Sequence, residues 1–271
     1  MTRAGWRALP LRSAPGVAFA ASVALSFVAL SSQAAELTAD QVRAIVAHAS
    51  AAAPADLARK DLSDLDLSNI DFAGANLAGA NLFASRLVSS NFSGANLSGA
   101  NLNGTWLMGA QFAGANLSGS SMLGLVILGG AVTARPNFAG ANLSGVRMIA
   151  DLPNTDLHSA NLSRARLGVD IHNQGMGQMR TDLSNAKLAG ANLEGADLSR
   201  SSMAFADLRG ANLRAANFFA VKLAGANLSG ADVADANFTE ADLDGTVFTG
   251  AKGLDAAKGM DKAANRERAV Y

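Results

Sequence analysis

The sequence contains no cysteine, which excludes disulfides and a lipid-modified N-terminal cysteine. Aromatic residues make up 6% of the 271 positions and charged residues 16%. Basic and acidic residues number 22 each, so the formal net charge is zero and no global field favours nucleic acid or anionic lipid as a partner. Stability must therefore come from packing and hydrogen bonding.

Sequence signatures of catalysis are missing as well. The three histidines, His48, His158 and His172, lie in separate segments, and no phosphate-binding or dinucleotide-binding glycine motif occurs. Asp170 and His172 are two possible metal ligands without a third. We therefore expect no enzymatic activity, no cofactor and no metal site.

Residues 1–35 have the features of a secretory signal peptide. An apolar stretch over residues 16–30 follows a leader that contains three arginines and no acidic residue. Ser32 and Ala34 fit the −3 and −1 positions of a signal peptidase site, which predicts cleavage near Ala34 and Ala35. An uncleaved anchor helix is the alternative, although the stretch is short for a span of about 20 residues. The expected location is periplasmic or secreted, without membrane attachment after cleavage.

From Asp61 onward a large apolar residue recurs every five positions. A helix turns about 100° per residue and would scatter this pattern around its axis. A strand would place successive apolar residues on opposite faces. A short extended piece followed by a turn satisfies the spacing. The first members of the series are Leu62, Leu67, Phe72, Leu77, Leu82, Leu87, Phe92, Leu97 and Leu102.

The positions around each apolar centre support this interpretation. A small residue stands two positions before the centre, as at Ala75, and Asp or Asn stands one before, as at Asn76. Gly commonly stands two positions after, as at Gly79, where a tight turn needs it. The pattern predicts a coil with two inward positions per repeat, a polar exterior and a corner in every repeat.

The units ANLSG, ADLSR, ANLRA and ANFTE resemble the A-(D/N)-L-x-x motif of the pentapeptide-repeat family. The resemblance implies an all-β fold, a right-handed quadrilateral parallel β-helix with four repeats per coil. It covers residues 55–250, which predicts about nine coils stacked about 4.8 Å apart, a rod of roughly 40–45 Å.

Both ends of the array are expected to be capped. Residues 36–54 contain Thr38 and Gln41, the spacing of a capping box, followed by apolar residues at helical spacing, and His48 is expected on the helix surface. We predict a capping helix there, covering the open edge of the first coil. Residues 251–271 are predicted to form a helical or irregular C-terminal cap.

Three irregularities interrupt the array. In residues 120–137 the register slips by one, which predicts a bulged corner at Arg135–Pro136. One residue is missing between Arg147 and Asn154. Residues 168–181 are predicted to form a loop insertion.

Positions twenty apart should stack on one face of a four-repeat coil, which brings outward apolar residues together. We predict a protein-contact patch there, and the alternative is inward packing of a degenerate repeat. Its members are Phe83, Val88, Trp106, Met108, Leu123, Val126 and Leu128. The same stacking predicts exposed ion pairs between Glu194 and Arg214 and between Lys222 and Asp242.

The sequence favours a non-enzymatic scaffold of the cell envelope that binds a protein partner or a second copy of itself. An alternative, which the resemblance suggests, is a DNA-mimicking rod that acts on a topoisomerase. The export signal opposes it, and so does the absence of any acidic residue in residues 72–150. A ligand carrier is disfavoured because the interior is filled.

Overall fold

The computed structural model describes residues 36–127, 134–169 and 180–271, and these form a right-handed quadrilateral β-helix. The outward Asp or Asn of each repeat pairs in parallel with its equivalents on the neighbouring coils. Apolar centres such as Leu62 and Leu117 are fully buried beside inward alanines. The predicted fold class is confirmed.

Four columns of outward residues define four faces, each with ten residues from ten coils, and successive residues are paired except Val126 and Asp151 on face 3. Face 1 contains Asp56, Asn76, Asn96, Asn116, Asn142, Asn161, Asn192, Asn212, Asp232 and Lys252. Face 2 contains Asp61, Asn81, Asn101, Ser121, Arg147, Arg166, Asp197, Asn217, Asn237 and Lys258. Face 3 contains Asp66, Arg86, Trp106, Val126, Asp151, Asp182, Ser202, Lys222, Asp242 and Ala264. Face 4 contains Asp71, Asn91, Gln111, Asn137, Asp156, Lys187, Asp207, Asn227, Val247 and Val270.

Each corner is made by a residue in the left-handed region of the backbone map. Gly99 has a φ of 65°, and Ala84 and Asn69 occupy the same corner position with φ values of 56° and 59°. The preceding Asp or Asn stabilises the turn, since its Oδ1 accepts a bond from the backbone N–H two residues later. Ser118 N, for example, donates to Asn116 Oδ1 at 3.2 Å.

On face 1 the asparagines also form an amide ladder. Asn76 Nδ2 donates to Asp56 Oδ1 at 2.9 Å, and each following asparagine donates to the one before it, as far as Asn212, which donates to Asn192 Oδ1 at 3.0 Å. One side chain therefore stabilises its own turn and a neighbouring coil, which explains why this position favours Asn, and Asp as an acceptor.

Regular extended strands are short. β1 spans Ser121–Leu123 and pairs in parallel with β2, Arg147–Ile149. Inside the coil, phenylalanine rings stack along one column, and Phe72 and Phe92 are 4.8 Å apart.

The N-terminal edge is covered by α1, Ala39–Ala47. Thr38 and Gln41 form both bonds of the capping box, and Val42 is fully buried against the core. Glu36 N donates to Asp61 O at 3.0 Å, and Arg43 Nη2 donates to Asp66 O at 3.0 Å. These bonds satisfy carbonyls of the first coil that have no preceding coil to pair with.

The C-terminal segment differs from the expected cap, because the columns continue through Lys252, Lys258, Ala264 and Val270. Each side of this tenth coil is six residues long and begins with an inward alanine. The segment includes two 3-10 helices, Met260–Lys262 and Arg266–Arg268. Its corner glycines allow close approach: a Cβ on Gly253 would lie 2.7 Å from Ala234 Cα. Tyr271 stacks on Phe248 with ring centroids 5.6 Å apart.

The pairing defines the irregularities more sharply than the sequence did. Paired residues are normally 20 apart, but Asn116 and Asn142 are 26 apart, so six residues are added. Six residues are one five-residue repeat and one further residue, which agrees with the predicted one-residue slip of the register. The missing residue is confirmed by the separation of 19 between Asn142 and Asn161. Across the predicted loop the separation is 31.

Candidate interaction surface

The predicted patch falls on faces 2 and 3 of coils two to four. Phe83 is 48% exposed, an unusual degree for a large apolar side chain in this array. Val88, Trp106, Leu123 and Val126 are partly exposed. The structure therefore brings these five predicted residues to one side of the coil.

The prediction is wrong for Met108, because this side chain is 3% exposed and cannot form part of an outward patch. It stands one position after the buried centre Leu107, where outward side chains are expected, so periodicity alone gave the wrong result. Leu128 and the predicted cleavage site at Ala34 and Ala35 lie outside the described residues.

A cation–π pair fixes the centre of the patch. The guanidinium carbon of Arg86 lies 5.0 Å from the centroid of the Trp106 ring on the next coil. Arg86 also approaches Asp66 on the preceding coil, with Nε and Oδ2 3.8 Å apart. Face 3 pairs these residues at successive levels, so Trp106 lies between Arg86 and Val126 in the column.

Ile149 extends the patch and was missed in the sequence. The register of β1 and β2 places it beside Leu123. The six residues of the first insertion make its separation from Leu123 26 rather than 20, which hid it from a count in steps of twenty. We define the apolar surface as Phe83, Val88, Trp106, Leu123, Val126 and Ile149.

A shallow pocket of about 230 Å³ adjoins the apolar surface. Leu123 and Ile149 line one part of it, and the exposed residues Arg147 and Arg166 line another. These arginines are paired neighbours on face 2.

The three irregularities border the same face. The first insertion lies between Ile127 and Ala134, at the transition from face 3 to face 4 of coil four. The deletion lies between faces 2 and 3 of coil five. The second insertion follows Val169 and ends at Arg180, between faces 2 and 3 of coil six. Departures from the repeat thus cluster around face 3, beside the apolar surface.

Ion pairs elsewhere in the described ranges differ from those predicted. Arg214 does not pair with Glu194 as predicted but with Asp232, at 3.3 Å, and Lys222 and Asp242 form no ion pair. Arg209 donates to Asp207, and this bond holds the pKa of the carboxyl below its ordinary value. Such exposed pairs contribute little to stability, because water and salt screen them.

The histidines do not converge. His48 ends α1, where its Nδ1 is 2.6 Å from Ala44 O, and His158 pairs with Asp156 on face 4. His172 and Asp170, the weak metal pair, lie outside the described residues. Within the described ranges, no group of three or more potential metal ligands occurs. The same part of the chain contains no helix long and apolar enough to cross a bilayer.

The profile for pentapeptide repeats (8 copies) matches residues 55–83, 85–124, 137–168, 179–214 and 216–252, more than half of the chain. The chain belongs to the pentapeptide-repeat family. The unmatched residues 125–136 contain the first insertion. Among curated proteins, none matches this pentapeptide-repeat chain significantly.

Several solved pentapeptide-repeat proteins are similar to the chain. HetL, involved in heterocyst differentiation regulation in the cyanobacterium Nostoc sp. strain PCC 7120, is 29% identical over 86% of this chain and 94% of its own, with a TM-score of 0.40. Rfr23 from the cyanobacterium Cyanothece 51142 is 25% identical over 55% of this chain and 90% of its own, with a TM-score of 0.33. QnrB1, a plasmid-mediated fluoroquinolone resistance protein, is 18% identical over 65% of this chain and 81% of its own, with a TM-score of 0.24.

Proposed function

We propose that this pentapeptide-repeat protein is a non-enzymatic scaffold of the cell envelope whose apolar surface binds a protein partner. The observation that carries the proposal is the coincidence of this surface with the three irregularities of the array. A rigid scaffold commonly carries its binding residues where loops interrupt it.

The composition of the surface fits protein recognition. Phe83 offers an exposed ring, and Trp106 offers a ring that Arg86 holds in place. Tryptophan and arginine are enriched among the residues that dominate interface energies, and a fixed ring loses little conformational entropy on binding. The acid-free stretch 72–150 around the surface opposes the alternative of a DNA mimic, which needs an acidic face.

The envelope location rests on residues 1–35. Its test is fractionation of cells expressing the full chain, with N-terminal sequencing of the recovered protein. A periplasmic or secreted product that begins near residue 35 supports the proposal, and a cytoplasmic product that retains the leader overturns it.

The binding test compares two double variants. Phe83→Ser with Trp106→Ser removes two aromatic rings from the apolar surface. Phe205→Ser with Phe219→Ser is the matched control: Phe205 is 65% exposed, and Phe219 has its own arginine, Arg200, at 5.4 Å. Both variants should retain the circular dichroism spectrum of the parent.

The partner is first captured from envelope extract by cross-linking, then purified, and its dissociation constant is measured with each variant. We expect at least tenfold weaker binding for the first variant, which corresponds to about 1.4 kcal/mol, and less than twofold change for the control. Equal affinities for the parent and the first variant would contradict the proposal. Light scattering of the protein alone tests whether the partner is a second copy.

Trp106 provides an internal reporter. The sequence has two tryptophans, and the other one, Trp6, lies in the predicted leader. Fluorescence of the processed protein therefore reports on the apolar surface alone. Its emission should shift when the partner binds, and it should stay constant if the partner binds elsewhere.

A further inference from the structure

We propose that Arg147 and Arg166 form a carboxylate-binding site that takes an acidic residue from an acidic and apolar segment of the partner. The inference rests on the proposed function and names the chemistry of the segment that the surface recognises. Leu123 and Ile149 in the same pocket would contact the apolar residues beside that carboxylate.

The two arginines stand where the fold favours amides. Face 2 begins with an amide ladder, in which Asn81 Nδ2 donates to Asp61 Oδ1 and Asn101 Nδ2 donates to Asn81 Oδ1, each at 2.9 Å. The ladder resumes with Asn217 Nδ2, which donates to Asp197 Oδ1 at 3.0 Å. Between these two segments, Arg147 and Arg166 stand at ladder positions, where an asparagine would form amide hydrogen bonds to the neighbouring coils.

Their pairing adds a repulsion. Arg166 N donates to Val146 O at 2.7 Å and Met148 N to Arg166 O at 3.0 Å, which fixes the two arginines in adjacent coils about 4.8 Å apart. Like charges at directly paired positions destabilise a sheet. A carboxylate bound between the two guanidinium groups would turn this repulsion into attraction, since arginine binds carboxylates through paired N–H donors.

Among the described residues, one carboxylate lines this pocket, that of Asp197, and it forms no ion pair with Arg147 or Arg166. Some other outward arginines have acidic partners, such as Arg86 with Asp66 and Arg209 with Asp207. Among the described residues, neither Arg147 nor Arg166 forms an ion pair.

The nearest acidic residue along the column is already engaged. Asp197 Oδ1 accepts bonds from Ser199 N at 3.0 Å and from Asn217 Nδ2 at 3.0 Å. Its Oδ1 therefore stabilises its own turn and the resumed ladder, and the two arginines keep N–H donors for a further carboxylate.

A protein segment fits this pocket better than the other bearers of anionic groups. Nucleic-acid affinity depends on many phosphate contacts, and two arginines beside an apolar wall provide few. A lipid surface gains about 1 kcal/mol per basic residue and needs a larger cluster. One carboxylate with apolar neighbours uses both arginines, Leu123 and Ile149.

The test uses protein purified from cells that express the full chain and three probes: a fluorescein-labelled peptide of alternating Glu and Leu, the same peptide with Gln for Glu, and inorganic phosphate. Fluorescence anisotropy gives the affinity of each peptide, and competition gives that of phosphate. We expect the Glu peptide to bind at least tenfold more tightly than the Gln peptide, with an affinity that falls as salt rises.

The decisive variant is Arg147→Asn with Arg166→Asn, which should weaken Glu-peptide binding at least tenfold. The control, Arg209→Asn with Arg214→Asn, removes the same charge elsewhere and should change binding less than twofold. Equal losses of affinity in both variants would show that the peptide responds only to the net charge of the protein, which would overturn the proposal. So would the absence of Glu-peptide binding, or tighter binding of phosphate than of the Glu peptide.

The failure of this inference is distinguishable from failure of the proposed function. A partner whose affinity depends on Phe83 and Trp106 but not on Arg147 and Arg166 would refute the carboxylate site and leave the apolar surface intact. A partner insensitive to all four residues would refute both.

Discussion

Faces 1 and 2 begin with the same chemistry and diverge in the fourth coil. Face 1 keeps its amide ladder from Asp56 to Asn212 across pairing separations of 26, 19 and 31 residues. Face 2 starts with Asp61 and Asn81 and then replaces the amides with serine and two arginines before the ladder resumes. The insertions and the deletion thus leave face 1 regular.

The difference shows that the arginines of face 2 are not imposed by the fold. Both faces have the same backbone pairing and the same kind of buried centre. Asparagine could therefore stand at positions 147 and 166 of face 2, as it does at positions 142 and 161 of face 1 in the same two coils. A ladder bond contributes about 0.5–1.5 kcal/mol, which the arginines forgo. Local stability alone therefore does not explain the chemistry of face 2.

The largest expected effect tests whether the interior is equivalent beneath regular and irregular faces. Leu117 lies under face 1 and Leu107 under face 3, and both are fully buried. Leu117→Ala and Leu107→Ala should each lower the free energy of unfolding by about 2–5 kcal/mol, because each leaves a cavity. Urea denaturation followed by circular dichroism measures both. A much smaller loss for Leu107→Ala would show that the core under the apolar surface is less well packed.

The next effect concerns the amide ladder. Asn116→Ala removes the turn bond from Ser118 N and ladder bonds of 3.2 and 3.1 Å to Asn96 and Asn142. We expect the free energy of unfolding to fall by about 1–3 kcal/mol. Ser98→Ala on the same face is the control and should stay within about 0.5 kcal/mol. Equal results would mean that the ladder adds nothing to the backbone pairing.

A smaller effect of opposite sign is expected on face 2. Arg147→Asn with Arg166→Asn removes a repulsion and lets the side chain at position 166 donate to that at position 147. The free energy of unfolding should rise by about 0.5–1.5 kcal/mol while Glu-peptide binding falls. Arg209→Asn, which breaks the 2.7 Å pair with Asp207, should not raise it. Loss of stability in the double variant would indicate that the arginines have a structural role.

Much of the fold follows from the five-residue period, because inward and outward positions repeat with it. The tenth coil was missed because its alanines at 251, 257 and 263 recur every six residues, and six does not continue the leucine series. Met108 was placed outside because the period gives direction but not burial. The arginine pair at 147 and 166 was hidden, since one deletion makes their separation 19 rather than 20.

The last and smallest expected effect is a loss of stability at low pH that differs between the acid-free coils and the rest of the array. Asp61 has a lowered pKa because Ser63 donates to it, and Asp232 has one because Ala234 N donates to it. A carboxyl with a lowered folded-state pKa adds stability above its ordinary value near 3.8, and this is lost as pH falls through the folded-state value. Residues 72–150 contain no carboxyl side chain whose protonation could lower stability in this way.

Hydrogen exchange at pH 3 and pH 6, corrected for intrinsic rates, should therefore show protection falling around Asp61 and Asp232 more than in residues 72–150. Asp232→Asn should reduce the pH dependence at its own coil. Uniform loss along the array would instead show that the coils respond to acid as one cooperative unit, in which local carboxyl groups do not decide local stability.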